Sequence, residues 1–283
     1  MKYLSIISLF ALLAFTVVPV AGAQVTSGPN YSVSNSLSLN WSGYAVDITG
    51  VTSMSGTFTV PTVSGPGSVN GLPTDVSVWV GIDGYSTGTV EQTGISGSYT
   101  SSGASYYAWW EMYPRASNKI HSMTINPGDI ITASVNFNGG GSFTLSIADT
   151  TNGQSFTTTV YAPVGGRDAA QRGSAEWIVE RAATISKGYL TILPLATFDS
   201  TTFTNAAYSP GSGSSTLQGA IKAFGACAAT PVAPCYDQMT MISVNPDNSH
   251  TSLVSVSTAA SDSFTVSFLA NGTPYPIPGV YRH

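Results

Sequence analysis

The sequence predicts an all-β protein, an antiparallel β-sandwich, on three observations. Apolar and small polar residues alternate in run after run, turn-forming residues separate the runs, and past the N-terminus no segment sustains a helical period beyond a turn or two near Arg167 to Gly173. Val76, Val78, Val80 and Ile82 alternate with Ser77, Trp79, Gly81 and Asp83. The same period recurs at Ile131, Ala133, Val135 and Phe137, at Phe143, Leu145 and Ile147, and at Phe264, Val266 and Phe268. Asn138-Gly139-Gly140-Gly141 joins two of these runs as a hairpin, and Asn152-Gly153 supplies the next turn.

Ahead of these runs, a charged start at Lys2, an apolar stretch from Leu4 to Val18 and Ala21-Gly22-Ala23 before Gln24 have the pattern of a cleaved secretory signal over residues 1–23. The stretch is short for a bilayer span, which disfavours a membrane anchor. A secreted, extracellular protein with no membrane partner after cleavage is expected. Residues 24–39, polar and rich in Ser and Asn, read as a flexible leader or short propeptide. One domain follows over 40–270, and the tail 271–283, with three prolines, is expected to be irregular. Asn30, Asn40 and Asn271 each fit the N-glycosylation acceptor pattern.

Without the signal, 8 Lys+Arg stand against 14 Asp+Glu, a formal charge of −6, which disfavours nucleic acid as a partner. Charged residues make up 8% of the chain, so few carboxylates lose a native ion pair on protonation, and tolerance of low pH is expected. Cys227 and Cys235, eight apart in an exported chain, predict one disulfide closing a short loop. His121, His250 and His283 are scattered, so neither a metal site nor a Ser-His-Asp or Cys-His nucleophile is expected, and no cofactor is called for.

Two segments concentrate chemistry. In Ser174-Ala175-Glu176-Trp177-Ile178-Val179-Glu180, an extended backbone turns Trp177 and Val179 toward the core and leaves Glu176 and Glu180 facing a groove or solvent. In Tyr106–Pro114, Tyr107, Trp109, Glu111 and Tyr113 share one face and Ala108, Trp110 and Met112 the other. An acid among three aromatics suggests a binding groove; an aromatic outer face with a solvated Glu111 is the plainer alternative. Trp79 and Asp83 point away from the aliphatic side of their strand, and Gln92 shares a face with Val90 and Gly94, where the glycine leaves room for a close approach.

Five ordered motifs change the weight of these readings: Asn40-Trp41-Ser42-Gly43-Tyr44, Trp79-Val80-Gly81-Ile82-Asp83-Gly84, Gln92-Thr93-Gly94, Tyr107–Pro114 and Ala175–Glu180. In this order they resemble the glutamic peptidases, or eqolisins. The resemblance implies a β-sandwich of two curved seven-stranded sheets, of the concanavalin-like jelly-roll kind, and an endopeptidase acting on polypeptides at acidic pH. It implies a catalytic dyad of Gln92 and Glu176, with Trp41, Trp79, Asp83, Glu111 and Tyr113 lining or supporting the groove. A monomer is expected.

Those residue types suit peptide hydrolysis. A glutamate can take a proton from water and return it to the leaving amine. A glutamine cannot ionise, yet its amide can donate to an oxyanion. Hydrogen bonds favouring the charged form would keep such a carboxylate ionised into acid solution. The rivals are a β-sandwich glycoside hydrolase using Glu111 and Glu176, and a carbohydrate-binding module without catalysis.

Overall fold

The computed structural model describes residues 27–28, 31–32, 35–162, 165–166, 169–186, 189–211, 213–227 and 233–281. The signal segment lies outside them. Two principal sheets account for most of the chain. The first, of ten strands, runs Asn118–Ile120, Gly103–Tyr113, Val90–Thr100, Thr74–Ile82, Ser174–Glu180, Trp41–Asp47, Cys235–Val244 and Gly225–Ala226, with Asn35–Ser38 and His250–Ser252 also paired to Cys235–Val244. The second, of eight, runs Ser155–Tyr161, Ser142–Asp149, Ile130–Gly139, Ser53–Thr59, Ser200–Ser209, Phe264–Phe268 and Val254–Val256, with Ser215–Thr216 on Ser200–Ser209.

One core fills the space between the sheets. Val78, Val80, Ile82, Ala175, Trp177 and Val179 from the first meet Phe58, Val135, Leu145, Phe203 and Val266 from the second. Trp177 spans the join: its Nε1 donates to Ser55 O at 2.8 Å. Gly56 is the residue that admits the ring, since a Cβ there would sit 2.8 Å from Trp177 Cδ1. The hairpin at Asn138–Gly141 forms as the sequence predicts.

Four expectations need correction. The sheets are not seven-stranded and purely antiparallel: Asn35–Ser38 and Gly225–Ala226 each pair in parallel with Cys235–Val244, lengthening the first sheet with short segments that carry no alternation. The first of those lies inside the segment read as a leader. The tail contributes the strand Tyr275–Tyr281, paired with Tyr189–Ile192, because its prolines fall on a sheet edge where missing N–H groups are tolerated. Finally, Leu217–Ala223 is an α-helix, capped by Thr216, whose hydroxyl accepts from Gly219 N at 3.0 Å. At seven residues it is too short to display a helical period. Residues 169–173, where a turn or two was expected, are not helical; Arg167 and Asp168 lie outside the described residues.

Candidate active site

The register of the first sheet brings together residues far apart in sequence. Glu111 pairs with Gln92, Gln92 with Gly81, Gly81 with Glu176, Glu176 with Ala45, and Ala45 with Asp237. Side chains in such a row point to the same face of the sheet. Glu111, Gln92, Glu176 and Asp237 therefore stand in line on the face turned away from the intersheet core. Gly81 leaves a gap between Gln92 and Glu176, whose Cα atoms lie two strand spacings apart, roughly 10 Å.

The neighbouring rows furnish the walls. One contains Ile178, Trp79, Gly94 and Trp109; the next contains Trp41, Glu180, Ser77, Ser96 and Tyr107. Trp41 meets Trp79 edge-on at 4.9 Å between ring centres. Trp79 Nε1 donates to Glu180 Oε2 at 2.8 Å, and Asn40 Nδ2 donates to Glu180 Oε1 at 3.1 Å. Glu180 is thus buried and ties the two tryptophans to the strand rather than meeting solvent. Asn40, with its amide so engaged and 8% exposed, does not present itself as a glycan acceptor. Tyr113 stands at the strand end opposite Val90, on the same face.

Gln92 and Glu176 are both buried. Gln92 Nε2 donates to Glu111 Oε2 at 2.7 Å, so Glu111 is no solvated surface acid but the group that orients the amide. Glu176 Oε1 accepts the Tyr85 N–H at 3.3 Å. Among the described residues, Gln92 Oε1 and Glu111 Oε1 have no hydrogen-bond partner. Glu176 Oε2 makes no bond of good geometry either, although the Ser174 hydroxyl lies near enough to favour its charged form. Buried polar atoms left unpaired cost about 1–3 kcal/mol each, and Gln92 Oε1, Glu111 Oε1 and Glu176 Oε2 all lie along this one row.

Burial dominates the electrostatics. It pushes the Glu176 carboxyl well above the usual glutamate range, the Asp83 and Asp47 charges add to that, and the Ser174 and Tyr85 bonds offset part of it. This reverses the expectation that hydrogen bonds would hold the carboxylate ionised in acid. Glu111 is likewise pushed well up by burial and the Glu180 charge, against the Gln92 bond. Glu180 is pushed up to about 8 by burial, against its bonds to Trp79 and Asn40.

Two predicted roles shift. Asp83, at φ +70° where its strand ends, does not line the face. Its carboxylate accepts the backbone N–H groups of Gln171, Arg172 and Gly173 at 2.9, 2.8 and 2.7 Å, fixing the loop that enters the Glu176 strand. The close approach at Gly94 is made by the adjacent strand: a Cβ would lie 2.2 Å from Val78 O. The Cys227–Cys235 disulfide forms, with Cα atoms 5.0 Å apart, and Cys235 flanks Asp47 in the next strand. The sequence reading passed over Tyr85 and Asp237. The Tyr85 hydroxyl donates to Asp237 Oδ2 at 3.2 Å, joining the loop after Asp83 to the far end of the row. A tyrosine in a turn and one acid in the run Cys235–Val244 carry no local signal of this.

Comparison with known proteins bears on the family and the fold. The model of the peptidase A4 family matches residues 39–268. Aspergillopepsin-2 of Aspergillus niger is 34% identical over 198 residues, 64% of this chain and 68% of that protein. Scytalidopepsin B of Scytalidium lignicola is 32% identical over 142 residues, 50% of this chain and 51% of that protein. Among solved structures, scytalido-glutamic peptidase with a transition state analogue inhibitor superposes with TM-score 0.65 at 23% identity, covering 81% of this chain and 98% of that one, a likeness of fold. Aspergilloglutamic peptidase from Aspergillus niger gives 0.50 at 29% identity, covering 69% and 99%. With most of the chain matched and the two-sheet sandwich shared, this protein belongs to the peptidase A4 family, the glutamic peptidases, and is a hydrolase of that type.

Proposed function

We propose that the protein is a secreted acid endopeptidase in which Glu176 and Gln92 act on a peptide bond lying across Gly81. The observation that carries this reading is the register row. It sets a carboxyl and an amide on either side of a side-chain-free position, each with an unpaired polar atom. The secretory-signal pattern of residues 1–23 supports export.

In this reading, water docks against Glu176 Oε2. Its donated hydrogen bond favours the carboxylate, so the base is completed by the molecule it activates. Glu176 removes the proton as water attacks the scissile carbonyl. The second N–H of Gln92, beyond the one held by Glu111, donates to the oxyanion. A raised pKa makes Glu176 a stronger base, and the proton it holds passes to the departing nitrogen. Trp41, Trp79 and Tyr113 offer apolar walls on which an extended polypeptide can lie.

The glycoside hydrolase alternative fares worse on spacing. Glu111 and Glu176 are three strand spacings apart, roughly 14 Å at Cα, with Gln92 intervening. The test is a mixed peptide library at acidic pH with products read by mass spectrometry. Internal cleavage by the unmodified protein, absent in Glu176→Ala and Gln92→Ala variants shown folded by circular dichroism, is expected. Wild-type rates in either variant would remove that residue from the mechanism.

A further inference from the structure

Glu176 Oε1 is held by a donor that no strand positions. Its partner, the Tyr85 N–H at 3.3 Å, belongs to the loop between Thr74–Ile82 and Val90–Thr100. A backbone donor in a loop points only where the loop's anchors aim it. Here the anchors are carboxylates on the two strands beyond Glu176, Trp41–Asp47 and Cys235–Val244. The Tyr85 hydroxyl donates to Asp237 Oδ2 at 3.2 Å, and the Ser86 hydroxyl donates to Asp47 Oδ1 at 3.0 Å.

Tyr85 spans the interval between two acids of the row. Ala45 separates Glu176 from Asp237, whose Cα atoms lie two strand spacings apart, roughly 10 Å. Tyr85 is 9% exposed and belongs to the buried cluster that includes Ala45, Val90, Met239 and Cys235. Its backbone serves one acid and its phenol the other. Asp237 Oδ2 also accepts the Ser36 hydroxyl, from the strand Asn35–Ser38 that pairs in parallel with Cys235–Val244. Resting on the dyad proposed above, we propose that Tyr85 is a positioning residue with Asp237 as its anchor: the bond between them aims the Tyr85 N–H at Glu176 Oε1 and leaves Oε2 for the water.

The surrounding groups suit both ends of this bridge. Burial pushes the Tyr85 phenol upward, and the Asp237 charge, the bond to it and the Asp47 charge push it further, so the hydroxyl stays a donor throughout the acid range. On the strands flanking Glu176, Gly81 and Ala45 carry no charge. Burial and the Asp83 and Asp47 charges raise its carboxyl, and the Ser174 hydroxyl and the Tyr85 N–H oppose them. Glu91, on the strand beyond Gly81, also feels the Glu176 charge. The Tyr85 N–H therefore favours the carboxylate, the form a general base needs. Without the phenol bond the loop donor loses its aim, and Glu176 holds its proton to higher pH. A bond that only fastened the loop would change stability and leave that titration where it is.

Tyr85→Phe provides the test, because it keeps the ring, removes the hydroxyl and changes no charge. Peptide hydrolysis would be followed against pH for the unmodified protein, Tyr85→Phe, Asp237→Ala, Asp237→Asn and the double variant Tyr85→Phe/Asp237→Ala. Tyr85→Phe should lose about fivefold or more in kcat with KM within about threefold, and the acid limb of its kcat profile should move upward by about half a pH unit or more. Asp237→Ala should lose kcat to a similar extent, and the double variant should match the singles within about twofold, because both changes break one bond. Asp237→Asn, whose amide oxygen still accepts the phenol proton, should stay within about threefold of wild type. Wild-type kcat or an unmoved acid limb in Tyr85→Phe, losses that add in the double variant, or Asp237→Asn as impaired as Asp237→Ala would each overturn the assignment. Should a variant at either position fail to fold, nuclear magnetic resonance of the unmodified protein decides. A Tyr85 amide shift that titrates, and no longer does so in Glu176→Gln, together with a slowly exchanging Tyr85 hydroxyl proton, supports the bridge; a flat amide shift or a rapidly exchanging hydroxyl overturns it. If the unmodified protein cleaves no peptide, the peptidase reading falls, while these resonances still decide whether Tyr85 links the two acids.

Discussion

The two sheets obey different rules. In the second, strands alternate cleanly: Ser53–Thr59 and Ser142–Asp149 bury every other side chain, and the outward positions form hydroxyl ladders such as Thr57 with Thr132, Thr144 with Thr159 and Thr202 with Thr265. In the first, Trp41–Asp47, Thr74–Ile82 and Ser174–Glu180 are buried on both faces, and acids occupy positions that alternation would give to solvent. A sheet face that is both buried and acidic gives up stability for chemistry. The second sheet packs against the other, aliphatic face of the first.

The sharpest way to break this contrast is substitution in the row. Glu176→Gln keeps shape but cannot accept the proton, and a loss of about 10³-fold in kcat is expected. Gln92→Ala should lose about 10²- to 10³-fold, as for an oxyanion donor. Single-turnover kinetics on a defined peptide, with folding verified, would measure both. Activity within tenfold of wild type for either would make the row a structural feature like any other.

The next difference is in stability against pH. Glu180, at about 8, and Asp75, at about 6, have folded-state values above their unfolded ones, and Glu91, Glu111 and Glu176 are likewise raised well above theirs by burial. The folded chain therefore binds more protons than the unfolded chain. The contribution of these acids is whole below about pH 4 and is lost as pH rises through 6 and 8, a few kcal/mol for a group such as Glu180. Thermal unfolding followed from acid to mildly alkaline pH should show a falling Tm, and Glu180→Gln should flatten the fall. A Tm rising with pH across that range would contradict the burial of these acids.

These acids also mark how far the sequence could be read. Strand period and turn residues exposed the sandwich because both sheets turn an aliphatic face to one core. Glu111 and Glu176 stood out because acids are scarce in this chain and these sit among aromatics. The register row itself was not legible, since Glu111, Gln92, Gly81, Glu176 and Asp237 meet through pairings that no local pattern encodes. Asp83 illustrates the limit: alternation put it on the groove face, but its positive φ at the strand end redirected it to the 171–173 amides. The raised acids escaped for the same reason, because burial on a second face is a property of the assembled sheet.

Gly81 allows a finer test of the row. A methyl group there would meet Trp79 Cζ3 at 3.0 Å, Gln92 Cβ at 3.1 Å and Glu91 O at 3.2 Å, tight contacts that shifts of a few tenths of an ångström can relieve. Gly81→Ala is expected to fold with a stability loss of about 1 kcal/mol, yet lose about tenfold or more in kcat because the methyl stands between Gln92 and Glu176. Unchanged kcat in the folded variant would mean that substrate does not cross this position.

The smallest expected effect belongs to the second sheet. Thr144 and Thr159 face each other across adjacent strands with hydroxyls 3.0 Å apart at an exposed position. Replacing Thr144 with Val keeps the β-branched shape and removes an exposed hydrogen bond, so stability should change by no more than about 0.5–1 kcal/mol. Activity should be unaltered, because the residue faces outward on the sheet that carries none of the acid row. A Thr144→Val protein with wild-type Tm but markedly reduced kcat would show that the outer hydroxyl ladder communicates with the first sheet, and the division into reactive sheet and scaffold would no longer hold.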